Sequence, residues 1–290
     1  MLRAFVAVLA AGLALAGCSA MEAADYYWQG ATGQMEILAR ATPIPDVIGA
    51  SDDAALRARL ARVQEIRAYA SRELALPDNA SYTNSAALRR PSVVWNVFAA
   101  PELSLEPRQW CFPGAGCVNY RGYFNESDAR AEAARLAAAG DDVWVSGVPA
   151  YSTLGWFDDP VPSTVIAYPD TDLARLIFHE LAHQVVYIPG DTTFNESLAT
   201  AVEREGARRW ALAHGSAADL HALDQVLVRE RQFTALVLAT RARLADIYAG
   251  PGDELSKRAA KQCTIDDLRA EYARLETDWG PQNRYSRWFA

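Results

Sequence analysis

An α+β fold is the class this sequence predicts: a small mixed sheet followed by a helical C-terminal half. Three observations point there. A helical pattern runs from Ser51 to about Leu76, with Leu56, Leu60, Val63 and Ile66 at helical spacing. β-branched and aromatic runs broken by Pro and Gly then gather between residues 92 and 157. From Thr171 onward the pattern is helical, with Gly or Pro breaks near 189–190, 251–252 and 280–281. With 290 residues, half of them apolar, the chain can bury a substantial core. A formal charge of −8 without any basic cluster gives no electrostatic case for nucleic acid.

The first stretch, MLRAFVAVLAAGLALAGC, has a basic start at Arg3 and an apolar run over residues 4–16, too short for a comfortable membrane span and suited to export. Its ending, Leu15-Ala16-Gly17-Cys18, resembles the lipobox of bacterial lipoproteins, which implies that Cys18 carries lipid and begins the mature chain. Ser19 follows in place of aspartate; by that family's sorting rule the protein belongs at the outer membrane, facing the periplasm. An ordinary cleaved signal or an uncleaved anchor is the alternative.

The chain then divides into a signal peptide at 1–17, a lipidated N-terminus and tether at 18–45, and a single domain at 46–290, of which 46–168 is helix plus sheet and 169–290 helical. In order, Ser51 caps the long helix and Pro77 stops it. SVVWNVFAA (92–100), the segment around Trp110–Cys111, and CVNYRGYF (117–124) read as strands; SDARAEAARLAAAG (127–140) reads as a helix ending at glycine. DDVWVSGVPAYSTLGWF (141–157) returns to strand-like composition. Export favours a disulfide between Cys111 and Cys117, which enclose the turn-forming FPGAG. A pairing of Cys263 with either stays open.

The helical half carries HELAH at 179–183, near its start. His179 and His183 are four residues apart, so on a helix both imidazoles share a face and can reach one metal ion. Glu180 is turned about 100° away and reaches a water on that ion, which is what a general base needs. In a chain of this composition the pattern arises by chance in roughly three sequences per thousand. A catalytic zinc site takes a third ligand and leaves one position open. Pro189-Gly190 turns the chain, Thr192 or Thr193 caps the next helix, and Glu196 in its first turn faces the histidines. Thr200 or Glu203, one and two turns further on, is placed to hold a ligand histidine by its second nitrogen, and Asp172 is a weaker candidate. Tyr151, just upstream, is the candidate donor to a developing oxyanion, with His214, His221 and Tyr285 as fallbacks. The structural alternative is two histidines on a helix surface and a glutamate set against a helix dipole.

Asn195-Glu196 resembles the Asn-Glu pair that opens the third-ligand helix of gluzincin peptidases such as thermolysin, although the spacer from His183 is shorter here. Taken together, WCFPGAGCVNYRGYF (110–124), YSTLGWFDDPVPS (151–163), HELAHQ (179–184) and FNESLAT (194–200) resemble the bacterial putative-aminopeptidase family, mostly exported lipoproteins with a gluzincin-like site. That resemblance covers nearly all of the mature chain. It implies one zinc ion held by His179, His183 and Glu196, Glu180 as base, a peptide substrate, and a membrane partner through the N-terminal lipid. An exopeptidase also needs an acid for the substrate's amine, which Asp158 or Asp159 would supply. The competing functions are a zinc endopeptidase of the cell envelope and a non-catalytic lipoprotein that binds a partner. Oligomeric state is not legible.

Overall fold

The computed structural model describes residues 23–112, 116–280 and 285–289; the expected signal peptide and Cys18 lie outside the described residues. The fold is α+β, as the composition predicts, but the strands form three small sheets in place of one. Helix α1 covers residues 23–39 within the segment expected as tether. Strand β1 (Ala41–Pro43), helices α2 (Ile44–Ala50) and α3 (Ala54–Leu74), and strand β2 (Asn84–Ala86) follow. Asp53, not Ser51, caps α3 by accepting the Ala55 and Leu56 N–H groups, and the helix stops where Ala75 turns left-handed (φ 53°).

Strand β3 (Val94–Pro101) lies between β6 (Arg121–Tyr123) and β7 (Asp141–Val148) in an antiparallel sheet. Helix α4 (Glu126–Ala138) covers one face, where Trp95, Val97 and Ala99 meet Ala129 and Leu136. The period of two sends Val94, Asn96, Tyr120 and Gly122 to the other face, which forms a cavity wall. Only the first half of 141–157 is strand, since β7 ends at Val148 and the chain turns after it. Strands β4 (Trp110–Phe112) and β5 (Gly116–Val118) pair as a hairpin in which Cys111 and Cys117 sit opposite one another and form a disulfide. Cys263 is a free, exposed thiol. A mixed sheet of β1, β2 and β8 (Val161–Pro162) escaped the sequence reading because two- and three-residue strands carry no periodicity.

Helices α5 (Asp170–Ala182), α6 (Thr192–His214), α7 (Ala217–Ala249) and α8 (Glu254–Trp279) make the second half. The α5 face bearing Leu173, Ile177, Phe178 and Leu181 is fully buried against α3 and α6. At about 25 cal/mol per Å² of apolar area, burying each such side chain stabilises by roughly 1.5–3 kcal/mol, so α5 is held rigidly by its apolar side and its polar side is free to carry chemistry. Gly206 permits this packing, because a Cβ there would stand 2.7 Å from the Phe178 ring and 2.8 Å from Leu74. Among the described residues no helix is long and apolar enough to cross a membrane.

Candidate metal centre

Helix α5 ends at Ala182, a turn earlier than the expected Tyr187, and His183 is its C-cap in right-handed geometry. The two imidazoles therefore still share a face: His179 Nε2 and His183 Nε2 are 3.2 Å apart. The next helix brings the carboxylate. Asp191, not Thr192 or Thr193, caps α6 by accepting the Phe194 N–H, so Glu196 lies beyond the first turn and not against the dipole end. Buried Asn195 fixes its approach, since its side chain accepts the Ile188 N–H and donates to the Ile188 carbonyl, both at 2.8 Å. Glu196 then stands 3.3 Å from His179 Nε2 and 3.7 Å from His183 Nε2.

Among the described residues, His179, His183 and Glu196 are the group of three such side chains whose ligand atoms all lie within 4.8 Å of one another. Two nitrogens sharing a tetrahedral ion at about 2.0–2.1 Å would be roughly 3.3 Å apart. The observed separations match that spacing. The donor set, two neutral nitrogens and one oxygen, is one that zinc favours.

Behind His179, Glu203 settles the choice between Thr200 and Glu203: its carboxylate accepts from His179 Nδ1 at 2.8 Å. An ionised carboxylate only accepts, so neutral His179 carries its proton on Nδ1 and turns the Nε2 lone pair toward His183 and Glu196. Arg175, buried, donates to Glu203 and to Glu230 at 2.6 Å each, and Arg204 donates to Glu230 at 3.1 Å. Burial alone would raise the Glu203 pKa, but the hydrogen bond from His179 and the Arg175 charge hold it below the ordinary range. Burial alone would lower His179; hydrogen bonds to Glu196 and Glu203 instead push it up to about 10. The ring between two carboxylates thus demands a positive charge, and a divalent cation meets that demand as a proton does. Burial, followed by the His179 charge, lowers the pKa of His183, whose Nδ1 is buried without a hydrogen-bond partner.

Glu180 is half-buried, and burial pushes its carboxyl up to about 7, with His179 opposing and Glu196 adding to the rise. It borders two cavities. One of about 640 Å³ is lined by His179, Glu180, His183, Glu196 and the apolar sheet wall; the other, of about 800 Å³, by Arg175, Thr200, Glu203, Glu230 and Asp172. Tyr151 lines the first cavity but packs edge-on against Phe124, and the charges nearest it are those of Asp159 and Arg90. Sequence reasoning missed Tyr120 and Tyr187. Burial and the Glu196 charge push Tyr120 up to about 12 and raise Tyr187, so both phenols stand nearer the carboxylate cluster. The Tyr187 ring centre is 6.4 Å from that of His183. Tyr187 lies beyond the end of α5, so helical spacing gave no signal for it; the signal for Tyr120 was the alternation Val118, Tyr120, Gly122.

The remaining candidates sit elsewhere. Asp159 is buried and accepts from the Thr153 backbone and hydroxyl, stapling the turn after β7, and exposed Asp158 lines neither cavity. His214 stacks on Trp210, His221 is exposed on α7, and Tyr285 stacks on Phe233 at the edge of the second cavity.

Fold and site together define an α+β protein whose two-histidine helix faces a carboxylate from the following helix. The chain belongs to the family described as "Putative aminopeptidase", whose model matches residues 25–290. That description points to a peptidase. No curated protein and no solved structure matches the chain.

The hydrogen bond behind His179 gives a direct test. Glu203→Gln keeps the shape but removes the carboxylate, and is expected to weaken zinc binding by about 10–100-fold, read by competition with a fluorescent chelator.

Proposed function

We propose that this protein is a lipid-anchored, zinc-dependent peptidase of the cell envelope, held to the outer membrane through Cys18 and acting in the periplasm. The convergence of His179 Nε2, His183 Nε2 and the Glu196 carboxylate, with Glu203 orienting His179 from behind, carries this reading. A gluzincin-like assignment follows from the carboxylate arriving on the helix after the HELAH helix. Aminopeptidase action follows the family description, and the aminopeptidase and endopeptidase readings share the same chemistry.

His179, His183 and Glu196 would hold one zinc ion, which supplies a Lewis acid able to acidify water and polarise a carbonyl. Glu180, beside the ligands and open to both cavities, takes a proton from the attacking water and returns it to the leaving amine. An extended peptide lies along the segment from Val148 to Leu154, which follows the outer strand β7 and lines the first cavity. Tyr120 and Tyr187 donate to the oxygen that gains charge, with Tyr151 further along the same wall.

Digestion of a peptide library with and without chelator, read by mass spectrometry, tests the function. Chelator-sensitive cleavage is expected; an intact library at full zinc loading favours the partner-binding reading. Free and N-acetylated forms of one peptide then separate exopeptidase from endopeptidase action, since equal cutting at an internal bond removes the aminopeptidase label. Tyr187→Phe is expected to lower kcat about 10²-fold or more with little change in KM, because an oxyanion donor acts in the transition state.

A further inference from the structure

Helix α1 is apolar on both sides. Its inner face is fully used: Tyr26 stacks on Phe112 and meets Tyr123 edge-on, Gly33 lies against Phe124, and Ile37 is buried. Gln29 accepts the Phe124 N–H and donates to the Gly122 carbonyl, completing the seam with β6. The outer face of a surface helix is ordinarily polar. Here Tyr27, Trp28 and Met35 are 51, 71 and 60 % exposed, with Ala24, Ala31 and Ala39 exposed among them. At 100° per residue these positions make a stripe roughly 120° wide. Thr32, just outside one edge of the stripe, donates its hydroxyl to the Trp28 carbonyl at 2.8 Å, so that group is turned to the backbone. The charges on residues 23–39, Asp25 and Glu36, both fall at one edge of the stripe.

The chain itself indicates what covers this stripe. Five residue steps separate Cys18 from Ala23, a reach of at most about 18 Å whatever path they take. Trp28 is another 7–8 Å or so along the helix. A helix tied that closely to acyl chains lies within reach of the bilayer interface, where Trp and Tyr side chains settle and an apolar stripe is buried. A strongly acidic chain gains no electrostatic attraction there, so the stripe supplies a second apolar attachment beside the anchor.

We infer that the outer stripe of α1, centred on Trp28, Ala31 and Met35, docks on the bilayer surface that holds the acylated Cys18. This rests on the lipid anchor of the proposed function. Tyr27 and Ala31 belong to the stripe and also line the cavity of His179, Glu180, His183 and Glu196, so docking sets the cavity rim beside the membrane. Peptides presented at the membrane surface then reach the site more readily than those free in solution.

The test uses the full-length protein purified from membranes and reconstituted in phosphatidylcholine vesicles with or without brominated acyl chains. Bromine quenching of tryptophan fluorescence is expected in the wild type and in Trp156→Phe, a control lacking an exposed tryptophan outside the stripe. Trp28→Phe is expected to lose most of that quenching while remaining on the vesicles. Equal quenching in Trp28→Phe and wild type overturns the docking and leaves the anchor standing. A measured mass without acyl chains overturns both. Concentration-dependent dimerisation without vesicles, abolished by Trp28→Glu, assigns the stripe to a second copy and overturns the inference as well.

Discussion

Glu180→Gln is expected to retain one zinc ion per chain and to lose peptide hydrolysis by at least about 10²–10⁴-fold, the range a positioned general base contributes. The two halves of that outcome come from different atoms. Zinc would be held by His179, His183 and Glu196, none of which hydrogen-bonds to Glu180. The fold also tolerates the change. Burial disfavours the ionised Glu180 carboxyl, and the neighbouring Glu196, Asp159 and Glu203 charges add to that cost, so a neutral amide of the same shape relieves it. Steady-state kinetics on a fluorogenic peptide, with zinc measured by mass spectrometry on the same sample, reads both quantities. Retained turnover at full zinc content removes Glu180 as the base.

His183→Ala is expected to lose metal and activity together. It would remove one of the three proposed ligands, so the expected loss in affinity exceeds the roughly 10–100-fold cost of losing an outer partner such as Glu203. A ligand present at 1,000 times its Kd stabilises the folded state by about 4 kcal/mol, so zinc should raise the wild-type Tm by several degrees. The variant should show no such rise and no fall on adding chelator. His183 is buried at the end of α5 with an unpartnered Nδ1, so truncating it discards no protein hydrogen bond at that atom. A variant that is folded and still zinc-dependent in Tm would show that the metal sits elsewhere.

The pairing of His179 and His183 was legible because helical periodicity is regular: four residues separate them, and that alone places them on one face. Glu196 was legible from the turn signal at Pro189-Gly190 together with an asparagine beside it, although the cap proved to be Asp191. What stayed hidden depended on tertiary placement. Glu203 and Thr200 share a face of α6, and only the crossing of α6 over α5, permitted by Gly206 against Phe178, decides which meets His179. Tyr120 comes from the short link between β5 and β6, about sixty residues upstream, and sequence distance gives no hint that this wall faces α5. The acids near 158–159 looked free in a loop, yet Asp159 is consumed in stapling its own turn. Composition likewise favoured one sheet where short strands had formed three.

The X-ray absorption spectrum at the zinc edge, taken on protein purified without added metal, bears most directly on the centre. One zinc per chain is expected, with a first shell of nitrogen and oxygen at about 2.0–2.1 Å, two imidazole signatures and no sulfur. Absence of stoichiometric zinc, or a shell containing sulfur from Cys263, contradicts the assignment of His179, His183 and Glu196 as its ligands.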